Sequence, residues 1–357
     1  MSLINDVNDN TYTQKKGELF MKRYITVDSG KSFTKVDIYD EPSNQIISKN
    51  IRTKYDEGVF EDTDPGQNTS LIEFDGQIYR VGQGATKEAE LKSSKKLPIH
   101  KICTMLAVAL ECSADEVDEV YCGIGIPVKD YEFPEERNSY RDYILPTEPV
   151  TVRFKRTGES PIETRTFRFV GRYVYPEGCG ALVLPGVMGM GTVAVIDIGH
   201  LNVNGTIYNG GDADLTMSFT TTKGCNALVS GLAQKLSAAY SFINKAQTAE
   251  VLGRTGKDRC LKPIRSNPQI EESSKTMIDK YLIDYVTALR EDCLAAQWSV
   301  DYTQFVFIGG TTAIIANEIK EVFGDEVIIS EYGAFTNAMG MLALMCGRPD
   351  VLGKKIM

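Results

Sequence analysis

β-Branched and aromatic residues run from Tyr24 into Asp28, give way to Ser29-Gly30-Lys31-Ser32, and a second strand-like run follows from Phe33 to Tyr39. That pattern predicts a hairpin with a polar, glycine-containing turn. It recurs at 192–208, TVAVIDIGHLNVNGTIY, where a second apolar strand again ends in Asp-x-Gly before a polar turn and a returning strand. Asp28 and Asp197 stand about one domain length apart, so two related lobes facing each other across a cleft are expected.

The rest of the chain reads as an α/β succession. A third strand is expected at 46–52, a loop at 56–70, and a small hairpin in which Asp75-Gly76 turns between 71–74 and 77–81. Residues from about 43 to 95 therefore read as a small lobe inserted in the first domain. Continuous apolar character predicts a buried helix over 97–112 and a strand over 118–128, and 150–175 alternates as a hairpin leading to Pro176-Glu177-Gly178. After the second Asp-x-Gly hairpin comes a strand at 212–218, then a helix opened by Lys223-Gly224-Cys225-Asn226 and running to about 239. Met277, Tyr281, Leu282, Tyr285, Val286, Leu289 and Cys293 recur at helical spacing, which predicts a long amphipathic helix over 271–298. A buried strand at 305–308 turns through Gly309-Gly310-Thr311-Thr312 into a helix over 313–323, and a strand at 327–330 precedes a final helix at about 334–346. Strand, turn and helix repeated in this way belong to an α/β sheet.

Composition narrows the class. At 357 residues the chain fits about two domains, and 42% hydrophobic with 24% charged residues is the balance of a soluble globular protein. A net charge of −9 argues against a general nucleic-acid surface, so contact with DNA is expected to pass through a partner. Eight cysteines without a C-x-x-C pair, and only His100 and His200 beside them, read as reduced core thiols of a cytoplasmic protein. No secretory signal opens the chain, and the first twenty residues, polar and without period, read as a flexible extension. The uncharged run 178–196 is interrupted by Pro185 and four glycines, which suits loop, turn and entering strand rather than a membrane span.

The chemistry concentrates in the turns. Gly30 lets backbone amides converge, and Ser29, Lys31, Ser32 and Lys35 add donors suited to a phosphate chain. Asp28 among them repels phosphate unless a hard cation intervenes, which suggests magnesium held through water. The better-known phosphate motifs fail: Gly30-Lys31-Ser32 has the tail of a P-loop, but Ile25 stands where its first glycine is required. No zinc-binding array, H-E-x-x-H or G-x-S-x-G is present. Gly309 and Gly310, lacking side chains, would let a flat purine lie against backbone.

Taken in order, these segments resemble the actin superfamily, and within it the plasmid-segregating bacterial actins of the ParM type. The supports are DSGKSFTK (28–35), YPEG (175–178), DIGHLNVN (197–204), KGCNAL (223–228), FIGGTT (307–312) and YGAFTNAMG (332–340). The resemblance implies a duplicated, ribonuclease-H-like two-lobed fold with a nucleotide cleft between lobes: domain I at 21–190, domain II at 191–334, and a C-terminal helix and tail at 335–357 returning to domain I. It implies an ATPase whose ATP (or GTP) is bound with Mg2+ by Asp28, Ser29, Gly30, Lys31, Ser32 and Lys35 of the first loop, by Gly199, His200, Leu201 and Asn202 of the second, and by Gly224, Gly309, Gly310 and Thr311. Glu177 would position the attacking water, and Asp197 would orient water or metal, with Asp28 and Asp197 as the metal residues. His200 and Asn204 depart from the usual glycine or aspartate and aspartate at their positions. Self-association into filaments and a ParR-type DNA-binding adaptor at filament ends are the implied partners, without direct nucleic-acid or membrane binding. A sugar or acetate kinase on the same fold, or a membrane-associated cell-shape or division actin, is the alternative.

Overall fold

The computed structural model describes residues 21–62, 66–88, 95–114, 116–156 and 160–357; the expected extension at 1–20 lies outside them. The described residues divide into two compact units, one made of those from 21 to 188 with Phe335–Met357, the other of Gly189–Ala334.

The first unit contains strands β1 (Lys22–Ser29), β2 (Phe33–Asp40), β3 (Gln45–Arg52), β4 (Lys54–Glu57), β5 (Thr69–Phe74), β6 (Gln77–Gly82), β7 (Lys87–Glu88), β8 (Val117–Ile126), β9 (Val150–Lys155) and β10 (Glu163–Pro176). They form one sheet in the order β3-β2-β1-β8-β10-β9-β5-β6-β4-β7. β1 pairs antiparallel with β2 and parallel with β8, and β8 pairs parallel with β10. β3 stays in the main sheet along the whole length of β2, whereas the short strands β4–β7 reach the sheet through β9. Helices α1 (Pro98–Ala109), α2 (Val128–Tyr131) and α3 (Pro134–Ile144) and the C-terminal helix α8 (Thr336–Cys346) complete the unit. β1 is buried on both faces. Ile25 and Val27 pack in the core that holds Ile102, Met105 and Leu106 of α1, while Tyr24 packs with Leu342, Met345 and Cys346 of α8. Between these, the Thr26 hydroxyl donates to the Ala338 carbonyl at 2.7 Å. Each such aliphatic side chain contributes roughly 1.5–3 kcal/mol when fully buried, and two-sided burial explains why 24–27 shows no polar alternation.

The second unit contains β11 (Thr192–Ile198), β12 (Val203–Asn209), β13 (Asp212–Thr221), β14 (Gln304–Ile308) and β15 (Ile328–Ile329), with helices α4 (Cys225–Tyr240), α5 (Lys245–Leu252), α6 (Pro268–Ala295) and α7 (Ala316–Phe323). Its sheet order is β13-β12-β11-β14-β15, with β11 antiparallel to β12 and parallel to β14. That is the order and sense of β3-β2-β1-β8-β10, so the hairpin pattern of the sequence reflects a repeated five-strand unit. Ala194, Ile196 and Ile198 pack against Leu228, Leu232 and Leu236 of α4 and Ile278, Leu282, Val286 and Leu289 of α6. Pro268 at the first position and the Asn267 side chain, which accepts from the Ile270 amide, start α6.

Three helices lie where none is expected. α3 (PEERNSYRDYI) buries only Tyr140 and Ile144, too few for a period to show. α5 is marked by a capping box between Asn244 and Gln247. α2 is a single turn. α7 begins at 316 rather than 313 because the Gly309 and Thr311 carbonyls close turns with Thr312 and Ile314.

Candidate functional site

Asp28 lies at the carboxyl end of β1, and Glu177 follows β10 directly, its amide donating to the Ile126 carbonyl at the end of β8 at 2.8 Å. Three parallel strands thus deliver two carboxylates to one edge, the usual place for ligands on such sheets. In the β1/β2 register Lys35 stands opposite Asp28, and its Nζ lies 3.2 Å from Asp28 Oδ2. A second cation, Lys95, is 8% exposed. Its Nζ donates to the Ser29 carbonyl at 2.6 Å and lies 2.8 Å from Glu177 Oε1 and 3.9 Å from Asp28 Oδ1.

The charges hold one another. Burial opposes ionisation of Asp28, but Lys35 and Lys95 keep its carboxyl below the usual range. Burial likewise opposes the Lys95 ammonium, and Glu177 and Asp28 nevertheless hold it above the ordinary lysine value. Lys31 is drawn down by burial and by the Lys95 charge, with Glu177 opposing. Beneath the loop, Ser29 Oγ meets His100 Nδ1 at 2.8 Å and Thr34 Oγ1 at 3.1 Å, and Thr34 Oγ1 meets Thr53 Oγ1 at 3.0 Å. Burial and Lys95 push the His100 pKa down to about 3, so the ring is neutral. The Ser29 hydroxyl therefore supports the loop from below, and the Gly30 amide is taken up by the Asp28 and Phe33 carbonyls within the turn. Thr53 donates its amide to the Ser32 carbonyl at 2.9 Å.

The second loop is built on different contacts. Asp197 near the end of β11 is partly buried and stands in register with Asn204 of β12 and Ile308 of β14. Where the first loop places Lys35, the second thus places Asn204, whose Oδ1 accepts from Thr220 at 2.9 Å. The Cys225 and Asn226 amides, in the first turn of α4, donate to the Gly199 and His200 carbonyls at 2.9 and 2.8 Å. His200 is exposed, and Asn202 Oδ1 is buried without a hydrogen-bond partner. A Cβ on Gly224 would fall 2.5 Å from the Leu201 carbonyl carbon, so only glycine lets α4 sit this close to the loop. Gly309 has φ +101°, and a Cβ there would meet the Ile198 carbonyl at 2.5 Å and Asp197 Oδ1 at 2.8 Å. Gly310 is exposed and Thr311 buried in the same turn.

The expected residues therefore gather as two sets, each within its own unit: Asp28, Ser29, Gly30, Lys31, Ser32, Lys35 and Glu177 in the first, Asp197, Gly199, His200, Leu201, Asn202, Gly224, Gly309, Gly310 and Thr311 in the second. Lys95 and His100 belong to the first set and were not among the expected residues. The arrangement does not fit a magnesium ion held by protein groups alone. Asp28 is already paired with two ammonium groups, and no group of three His, Cys, Asp or Glu suited to a metal occurs among the described residues. With Lys31, three ammonium groups face the carboxylates of Asp28 and Glu177, a balance that favours an anion such as a phosphate chain. Among the described residues, no helix is long and apolar enough to cross a membrane, and the eight cysteines are free, with all but Cys225 buried.

Residues 26–180 match the family described as actin like proteins N terminal domain. None of the curated proteins matches the sequence. Among solved structures, the Alp12 filament structure is similar with a TM-score of 0.68 at 20% identity, over 91% of this chain and 98% of that one. Ta0583, an archaeal actin homolog in complex with ADP, gives 0.65 at 17% identity over 90% and 98%. Bacillus thuringiensis ParM with ATP gives 0.61 at 16% identity over 90% and 97%. The fold is that of the actin-like proteins, and the resemblance read from the two Asp-x-Gly hairpins holds.

Proposed function

We propose that this actin-like chain is a filament-forming ATPase that segregates plasmid DNA through a centromere-binding adaptor. The observation that carries the reading is the cluster of Lys31, Lys35 and Lys95 around Asp28 and Glu177 at the carboxyl ends of three parallel strands. Phosphoryl transfer needs positioning and charge neutralisation more than a strong base. Lys35 and Lys31 supply charge for the phosphates, Glu177 holds the attacking water, and the second loop with Asp197 contributes nucleotide contacts from its own unit. Magnesium, which neutralises phosphate charge when bound, is proposed to arrive with the nucleotide and not to be held by Asp28 and Asp197 beforehand. ATP and GTP are both compatible with Gly309, Gly310 and Thr311 as the base-side turn. The names of the similar structures, an Alp12 filament and ParM with ATP, support polymer and nucleotide alike. The adaptor and plasmid role rest on the ParM-type resemblance.

The test is phosphate release and sedimentation with magnesium and ATP, GTP, ADP or no nucleotide. Triphosphate-dependent phosphate release together with pelletable polymer supports the reading. Release of phosphate onto a small sugar or carboxylic acid, without polymer, would replace it with a kinase.

A further inference from the structure

The position between Asp28 and Glu177 belongs to an ammonium group. Lys95 Nζ reaches Glu177 Oε1 at 2.8 Å, Asp28 Oδ1 at 3.9 Å and the Ser29 carbonyl at 2.6 Å, and its side chain is 9% exposed. Lys95 thus bridges these two carboxylates, and the contact to Ser29 ties the same ammonium to the backbone of the first loop. A buried charge with partners on both sides is fixed in place, because moving it would strand two carboxylates in a low dielectric.

We propose that Lys95 is the resident cation of this site: it fills the seat that a divalent ion would otherwise take between Asp28 and Glu177, and it sets the position of the Glu177 carboxylate. Resting on the hydrolytic reading of Glu177, this makes Lys95 a positioning residue. Lys95 anchors Glu177 Oε1, and a carboxylate with two oxygens and about four lone-pair sites can accept from the ammonium and align a water at once. An ammonium 2.8 Å from Glu177 Oε1 fixes where the carboxylate points, and a positioned carboxylate suits a loose phosphoryl-transfer transition state, which needs orientation of the water more than a strong base.

The cation seat is tested without nucleotide. Mn2+ is added to the purified full chain and free Mn2+ is followed by its electron paramagnetic resonance signal. The wild type is expected to take up no Mn2+ at sub-millimolar concentration, and Lys95→Met to gain a site that Lys95→Met combined with Asp28→Asn loses again. Mn2+ uptake by the wild type that is abolished by Asp28→Asn overturns the proposal, and this measurement needs no Lys95 variant to fold. The positioning role is tested by hydrolysis. Lys95→Met is expected to slow phosphate release roughly 10–100-fold while nucleotide affinity shifts less than about threefold, and Lys95→Arg is expected to recover part of the rate. A Lys95→Met variant that hydrolyses at the wild-type rate overturns the positioning role. A wild type that hydrolyses no nucleotide removes the hydrolytic reading and leaves the Mn2+ result to decide the cation seat.

Discussion

Asp37 on β2 has no exposed surface. One carboxylate oxygen accepts from the Ser48 hydroxyl, and the other, Oδ2, has no partner. Burial pushes its pKa up to about 7, with Ser48 opposing and the Asp28 charge adding. The folded-state pKa is raised above the unfolded value, so the native state binds more protons than the unfolded chain between about pH 4 and pH 7. This group's contribution to stability therefore falls as pH rises through that window and stays lost above it. Asp37→Asn keeps the shape and removes the charge. Relative to the wild type it should gain stability on going from pH 5 to pH 8, by up to a few kcal/mol at roughly 1.4 kcal/mol per unit of separation, as read from urea melts at both pH values. A difference between the two proteins that does not change with pH would show Asp37 to be ionised in the fold throughout. Glu177 makes the second residue-scale case. In Glu177→Gln one acceptor oxygen remains and the other is replaced by a donor, so the charge that pairs with Lys95 is gone and the proposed attacking water no longer meets a carboxylate. Phosphate release should drop by roughly 100-fold with nucleotide affinity within about threefold. A variant that hydrolyses normally would remove Glu177 from the chemistry.

At the scale of elements, the second loop is held by the start of α4. The Gly199 and His200 carbonyls take the Cys225 and Asn226 amides, which removes first-turn donors from use by a ligand and fixes the loop against the helix. Gly224 has an ordinary backbone conformation, so its requirement is steric: a methyl group would sit 2.5 Å from the Leu201 carbonyl carbon and 2.7 Å from the Asn202 amide nitrogen, both backbone atoms. Gly224→Ala should cost roughly 1–3 kcal/mol of stability and weaken nucleotide binding in parallel, measured by urea unfolding and by titration with a fluorescent nucleotide. Unchanged affinity in a destabilised variant would detach the second loop from binding. These contacts also mark what the sequence could reveal. Both hairpins were legible because each is continuous in sequence and its turn carries its own chemistry, Asp28 to Lys35 and Asp197 to Asn204. The long helix α6 was legible because Ile278, Leu282, Val286 and Leu289 keep one face. Helix α3 was not, since two buried residues make no period. Lys95 was hidden for a different reason: it sits 66 residues from its hydrogen-bond partner Ser29, in the lysine-rich run KSSKK, and only folding brings it to Glu177. His100 shows the same limit, since its apolar neighbours announce a buried helix and nothing local announces Ser29.

At the scale of the whole molecule, the repeated five-strand order places an Asp-x-Gly loop in each unit, but the two loops are not chemically equal. The first carries Lys35 opposite its aspartate and Lys95 behind it, while the second carries Asn204 paired with Thr220. The ammonium groups proposed to meet the phosphates therefore lie in the first unit, and the proposed hydrolytic carboxylate, Glu177, lies there too. If one nucleotide governs assembly, binding and hydrolysis separate into two measurable events. Loss of hydrolysis should leave assembly intact and abolish disassembly. Glu177→Gln with magnesium-ATP should therefore pellet as readily as the wild type, and its polymer should persist after the wild-type polymer has decayed, the light-scattering lifetime lengthening by a factor similar to the fall in phosphate release, roughly 100-fold. The wild type mixed with a non-hydrolysable ATP analogue should behave in the same way, which separates loss of hydrolysis from any local damage by the substitution. A Glu177→Gln polymer that decays at the wild-type rate while releasing no phosphate would show that nucleotide hydrolysis does not time the filament, and the cluster around Lys95 would then serve binding alone.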